Sequence, residues 1–238
     1  MSIDVQIWSD IACPWCFIGK RRFERALEAF PERDQVRVTW RSYQLDPSLP
    51  ESYDGSEVDY LVSSKGMPRA SVVQMIGHVA EQARGEGLAY DFDRLVVANS
   101  RRAHRLLQAA KRADRTDGGR RTDALEEALF SAHFERGENI GDAATLVRLG
   151  VEAGLAEDDA RAALDSDDLD AAVGADIRDA ATIGVRGVPF FVVADKYGVS
   201  GAQPSEVFLD VLRTVLAEQR PALIQVDGAG EACGPDGC

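Results

Sequence analysis

Cys13-Pro14-Trp15-Cys16 puts two thiols two residues apart near the start of the chain, directly after the alternating stretch VQIWSDIA. Such a pair can act as a redox dithiol, supply half of a zinc site, or be two small apolar residues of a core. The other two cysteines, Cys233 and Cys238, close the chain in CGPDGC and would complete a four-thiolate zinc set. Zinc half-sites usually lie on short knuckles and ribbons, whereas Cys16 opens FIGKRRFERALEAF, where Phe23, Leu27 and Phe30 recur at helical spacing. Incidental core cysteines do not explain a proline between the pair at a strand-to-helix junction. The dithiol reading is preferred to both, and no metal ligand is assigned.

Pro14 suits the first position of a helix, where its missing N–H costs nothing and its fixed φ helps. Cys13 is then the N-cap and the exposed member of the pair. The orphan amides and the dipole at that end stabilise a thiolate, which makes Cys13 the attacking sulfur and Cys16, one turn later, the resolving one. In the closing residues Pro235 and Gly237 suit a type I turn, which would bring Cys233 and Cys238 close enough to bond as a second dithiol. A flexible tail with incidental cysteines is the alternative.

The elements that must hold Cys13 follow from periodicity. VQIWSDIA ends a first strand, and in VRVTWRS the residues Val36, Val38 and Trp40 alternate with polar ones as a second. The helix between them favours parallel pairing. After DPSLPES the pattern turns helical for more than a hundred residues. Val72, Val73, Ile76, Val79 and Ala83 make one apolar face; Val96, Ala103, Leu106, Leu107 and Ala110 a second; Leu125, Ala128, Leu129 and Ala132 a third. Ser56 and Pro68 mark helix starts, and DRTDGGRR at 114–121 reads as a loop. PFFVV, the turn DKYG and VSGA then form a hairpin, and Phe208, Val211, Leu212 and Val215 face a last helix inward. The class is α/β: a strand-helix-strand and hairpin-helix unit at 1–50 and 184–220, a large all-helical domain inserted at 51–183, and a flexible tail at 221–238.

With 27 basic and 40 acidic residues among 238, the net charge of −13 repels phosphate backbones and anionic lipid. Neither nucleic acid nor membrane is expected as a partner. The N-terminus lacks a basic stretch followed by an apolar run, and VPFFVVA is far short of the ~18 residues of a membrane span, so a soluble cytoplasmic protein is expected.

SDIACPWCFIGK, the helical insertion, and GVRGVPFFVV followed by VSGAQP together resemble the DsbA family of thioredoxin-like proteins, especially its FrnE-like cytoplasmic branch. The resemblance spans residues 3–220 and implies a thioredoxin-like fold. It implies thiol-disulfide exchange of the reductase or isomerase type through Cys13 and Cys16, with Pro14 and Trp15 between them. The substrate would be a disulfide-bearing protein or a small thiol and the reductant a cytoplasmic one. No bound cofactor is implied, glutathione being a candidate co-substrate. The family's cis-proline matches Val188-Pro189, and the Val188 backbone would offer an N–H and a C=O to an extended substrate. Related kappa-class glutathione transferases and 2-hydroxychromene-2-carboxylate isomerases carry a serine where this chain has Cys13, which favours disulfide exchange here. The alternatives are a glutathione-dependent small-molecule isomerase or transferase, and a non-catalytic redox-sensing or zinc-holding protein that binds clients.

In the isomerase branch the stretch ANSRRAHRLLQAA lies near the substrate pocket. Five helical positions set Asn99 and His104 about 140° apart, so Asn99 is read as the pocket residue and His104 as partly exposed. Gln44, with Tyr43 and Asp46, is read as pocket rim. Asp10 is read either as a proton relay for Cys16 or as a turn and cap residue. His78, His104 and His133 receive no catalytic role.

Overall fold

Ile3, Val5 and Ile7 are wholly buried while Asp4 between them is exposed, and this alternation builds the central strand of the protein. The computed structural model describes residues 2–51 and 53–219. In chain order the elements are β1 (Ile3–Ser9), α1 (Pro14–Glu28), a short 3-10 turn (Arg33–Gln35), β2 (Val36–Ser42), α2 (Glu57–Lys65), α3 (Arg69–Gly85) and α4 (Arg101–Asp117). There follow α5 (Arg121–Phe134), α6 (Ala143–Glu152), α7 (Glu157–Ala163), α8 (Asp167–Thr182), β3 (Phe190–Val193), β4 (Tyr197–Ser200) and α9 (Ser205–Gln219). The tail with Cys233 and Cys238 lies outside the described residues.

The sheet order is β2-β1-β3-β4. β1 and β2 run parallel, with Ile7 opposite Trp40, as a helical crossover between them demands. β3 returns antiparallel to β1 and turns into β4. One face of the sheet is covered by α1 and α9, where Phe23, Phe191 and Phe208 meet with ring centroids 4.5 to 5.5 Å apart. On the other face Trp8 packs with Ala180 and Val185, and its Nε1 donates to the Asp176 carbonyl at 2.8 Å.

The seven helices α2 to α8 lie between β2 and β3 in the chain. Their core, with Leu106, Leu125, Leu129 and Phe130, also takes in Ile11, Cys13, Cys16, Phe17 and Ile18. Helix α1 therefore belongs to two cores: its first turns face the helices, and Phe23 and Ala26 face the sheet. Each buried Phe, Ile or Leu side chain among these contributes roughly 1.5–3 kcal/mol relative to exposure. Buried Lys20 pairs with Glu24 within α1 and fastens α1 to α5 through ion pairs to Glu127 and Asp123. The dithiol sits at this junction.

Several helical details depart from the periodicity. Val73 is 53% exposed, so α3 turns Val72, Val79 and Ala83 inward. Val96 precedes α4. Residues 114–121 are not one loop: α4 continues to Asp117 and stops at Gly118, whose φ of 75° ends the helix in the left-handed region. Asp114 then accepts the first amides of α5, from Arg121 at 2.9 Å and Thr122 at 2.8 Å. Ser56 does start α2, in a capping box with Asp59. No helix among the described residues is long and apolar enough to cross a membrane.

Candidate active site

Cys13 caps α1 in extended conformation with Pro14 following it, so the helix starts where the two residue types require. A tight turn leads in: the Cys13 amide donates to the Asp10 carbonyl at 2.9 Å, and the Cys16 amide to the Cys13 carbonyl at 3.0 Å. Both cysteines are free thiols. The expected exposure of Cys13 is corrected: it is 4% exposed and Cys16 1%. Val188 and Trp15 pack onto the cluster that holds both sulfurs, and the Cys13 Sγ donates to the Val188 carbonyl at 3.5 Å. Burial pushes the Cys16 thiol well above its ordinary pKa and Cys13 adds to the rise, with the Asp10 backbone and Ser9 opposing it.

The Val188-Pro189 peptide bond is cis. Gly19, on α1, faces the ring of Pro189, and a Cβ built there would stand 2.9 Å from Pro189 Cγ. The helix and the proline loop thus touch with no room for a side chain between them. Beside the site, the Trp15 ring lies 6.2 Å from that of His78, which is exposed.

Asp10 is the turn and cap residue of the two readings. Its buried carboxylate accepts the Leu45 amide at 2.7 Å, the Ala12 amide at 3.3 Å, and stands 3.3 Å from His104 Nε2. Burial alone would raise its pKa, but the hydrogen bond and charge of His104, with the Leu45 amide and Ser100, hold it below the ordinary carboxylate value. A carboxylate so held is a poor proton acceptor. His104 is corrected from partly exposed to buried, at 1%.

The angular argument that separated Asn99 from His104 fails because α4 begins at Arg101. Asn99 precedes the helix, and its Oδ1 accepts the Arg101 amide at 2.8 Å and Gln44 Nε2 at 3.0 Å. Its Nδ2 donates to the Leu49 carbonyl at 2.5 Å. Gln44 and Asn99 are therefore brought together, but their polar atoms are engaged with each other and with the chain around them, Gln44 also accepting from Arg101 at 3.2 Å.

Two residues near the dithiol were not singled out from the sequence. Glu126, in α5, is buried, and burial lifts its carboxyl to about 7. It interacts with Ser9, which also acts on Cys16. The signal was a glutamate flanked by Leu125 and Leu129 on an inward face. Tyr90, in the segment between α3 and α4, donates its hydroxyl to the Pro14 carbonyl at 2.7 Å. Among the described residues no group of three or more His, Cys, Asp or Glu is placed to hold a metal ion.

Residues 4–213 match the family model of the DSBA-like thioredoxin domain. The chain belongs to this family. Within it, the chain is similar to a probable DsbA oxidoreductase from Streptomyces coelicolor, 41% identical, with 99% of this chain and 98% of that one covered and a TM-score of 0.84. YwbO, an uncharacterized protein of Bacillus subtilis strain 168, is 26% identical over 155 residues, 65% of this chain and 68% of its own. The cytosolic disulfide reductase DsbM from Pseudomonas aeruginosa, solved alone and with GSH, is 20% identical. It shares the DSBA-like fold with a TM-score of 0.62 over 90% of this chain and 99% of its own.

Proposed function

We propose that this DSBA-like protein is a thiol-disulfide oxidoreductase in which Cys13 attacks and Cys16 resolves. The observation that carries the reading is the position of Cys13: helix N-cap, Cys16 one turn on, and Val188 against its sulfur. The raised pKa of Cys16 supports its resolving role, because only the thiolate is a nucleophile.

In the forward direction the Cys13 thiolate attacks one sulfur of a substrate disulfide. A mixed disulfide forms on Cys13, and the other substrate sulfur leaves as a thiolate. Cys16 then gives up its proton and attacks the Cys13 sulfur, forming the Cys13-Cys16 disulfide and releasing the second substrate thiolate. Two electrons have passed from the dithiol to the substrate, and a thiol reductant returns them. The Val188 backbone serves an extended substrate chain as a strand edge. The substrate class is a disulfide-bearing protein or a small disulfide. The DsbM structure with GSH supports glutathione as a small-thiol partner, and the cytosolic assignment of DsbM supports the cytoplasm as the compartment.

Insulin reduction in the presence of dithiothreitol tests the reading. Wild-type protein accelerates precipitation of the insulin B chain and Cys13→Ser protein does not; equal rates for the two contradict the proposal.

A further inference from the structure

Tyr90 reaches the dithiol from outside the thioredoxin-like strands and helix. Its hydroxyl donates to the Pro14 carbonyl, 76 residues away in the chain, at 2.7 Å. The ring is fixed on several sides. It stacks on Phe134 with centroids 4.8 Å apart, lies 6.2 Å from Phe17, and meets Phe92 edge-on at 5.7 Å. The flanking backbone is tied to the end of α5, with the Ala89 amide on Glu135 at 3.0 Å and the Asp91 amide on the Phe134 carbonyl at 2.7 Å. Burial raises the phenol pKa, and the negative charge of Cys13 and Cys16 raises it further, so the hydroxyl stays a neutral donor.

The Pro14 carbonyl is one end of a peptide unit whose other end is the Trp15 N–H. As a thiol, Cys13 makes no side-chain cap bond and donates to the Val188 carbonyl instead; ionised, it has no proton for that carbonyl, and as N-cap it faces the amides of the second and third helical residues, Trp15 and Cys16. A hydrogen bond at the carbonyl end polarises the amide and makes its N–H a stronger donor. The gain goes to a Cys13 thiolate and not to a Cys13-Cys16 disulfide, whose sulfurs carry no charge.

We propose that Tyr90 is a positioning residue of the dithiol: through the Pro14 carbonyl it strengthens the amide offered to the Cys13 thiolate and so makes the pair more oxidising. This rests on the exchange reading above. It makes the inserted region, whose segment between α3 and α4 carries Tyr90, a determinant of redox poise as well as a cover for the site.

The test is Tyr90→Phe in the full-length protein, which keeps the ring and removes the hydroxyl. Equilibration in glutathione buffers is expected to shift toward the disulfide by about threefold, or about 14 mV more negative at 29.6 mV per tenfold. The thiolate absorbance of Cys13 near 240 nm should also appear at higher pH. Phe92→Leu is the packing control: it loosens the aromatic cluster and leaves the phenol, so its melting temperature falls while its equilibrium constant stays at the wild-type value. Superimposable equilibria and thiolate titrations for wild type and Tyr90→Phe overturn the proposal, as does an equal shift in Phe92→Leu. Wild-type protein that forms no Cys13-Cys16 disulfide in glutathione contradicts the exchange reading instead, and the thiolate titration then decides the role of Tyr90 alone.

Discussion

The Cys13 sulfur meets the Val188 carbonyl at 3.5 Å across 175 residues of sequence. The contact joins the start of the first helix to the loop before β3, and the same two segments touch again where Gly19 lies under Pro189. The spacing of α1 from the proline loop therefore controls what can reach Cys13.

Gly19→Ala should separate them. The added Cβ would come within 2.9 Å of Pro189 Cγ and 3.5 Å of Ala202 Cβ, so the helix or the loop must move. We expect a loss of about 1–3 kcal/mol in urea denaturation, typical of overpacking, together with slower disulfide exchange. Wild-type stability and rate in this variant would show that the contact is loose.

Asp10→Ala removes the acceptor for two backbone amides and for His104. Leaving buried donors without their acceptor in this way costs roughly 1–3 kcal/mol for each. The wild-type contribution also depends on pH. Because the folded pKa of Asp10 lies below its unfolded value, its stabilisation is present above that value and is lost as acid is added through the folded pKa. Denaturation midpoints of wild type and variant should converge toward low pH; a constant gap would contradict the assignment of an ionised Asp10.

Glu126 and His133 occupy the same face of α5, seven residues apart, and burial shifts them in opposite directions. Glu126 rises from 4.5 to about 7, so the folded state holds its proton more tightly and stability falls as pH climbs between those values. His133 drops from 6.5 to about 4, so the folded state resists protonation and stability rises with pH over that range. The two slopes oppose one another across mildly acidic pH. Glu126→Gln should unmask the histidine: its stability gains on the order of 3 kcal/mol relative to wild type between about pH 4.5 and pH 7. Urea titrations at a series of pH values check this, and parallel profiles for the two proteins would refute it.

What could be read from sequence is what periodicity and local chemistry encode. The alternation of β1 and β2, the helix between them and Pro14 at its start are enough to put Cys13 at an N-cap. The rest depends on contacts between distant segments. Cys13 is buried because Val188 arrives from the far end of the chain, and no local pattern reports that. Counting Asn99 into the helix is what puts His104 on an exposed face, whereas the Asn99 side chain accepts the amide two residues on and delays the helix to Arg101. Tyr90 sits in a segment without period, between α3 and α4, so its bond to Pro14 had no signature. Glu126 had one, a carboxylate within an inward arc, which favours the rarer reading of a buried acid.

The most direct test is to expose full-length Cys13→Ser and Cys16→Ser proteins to glutathione disulfide and locate the adduct by peptide mass mapping, which also separates it from Cys233 and Cys238. The account predicts that Cys16→Ser accumulates a stable glutathione adduct on Cys13, while Cys13→Ser gains none on Cys16 over the same time. An adduct on Cys16 in the Cys13→Ser protein, with Cys13 left unmodified in the Cys16→Ser protein, would contradict it.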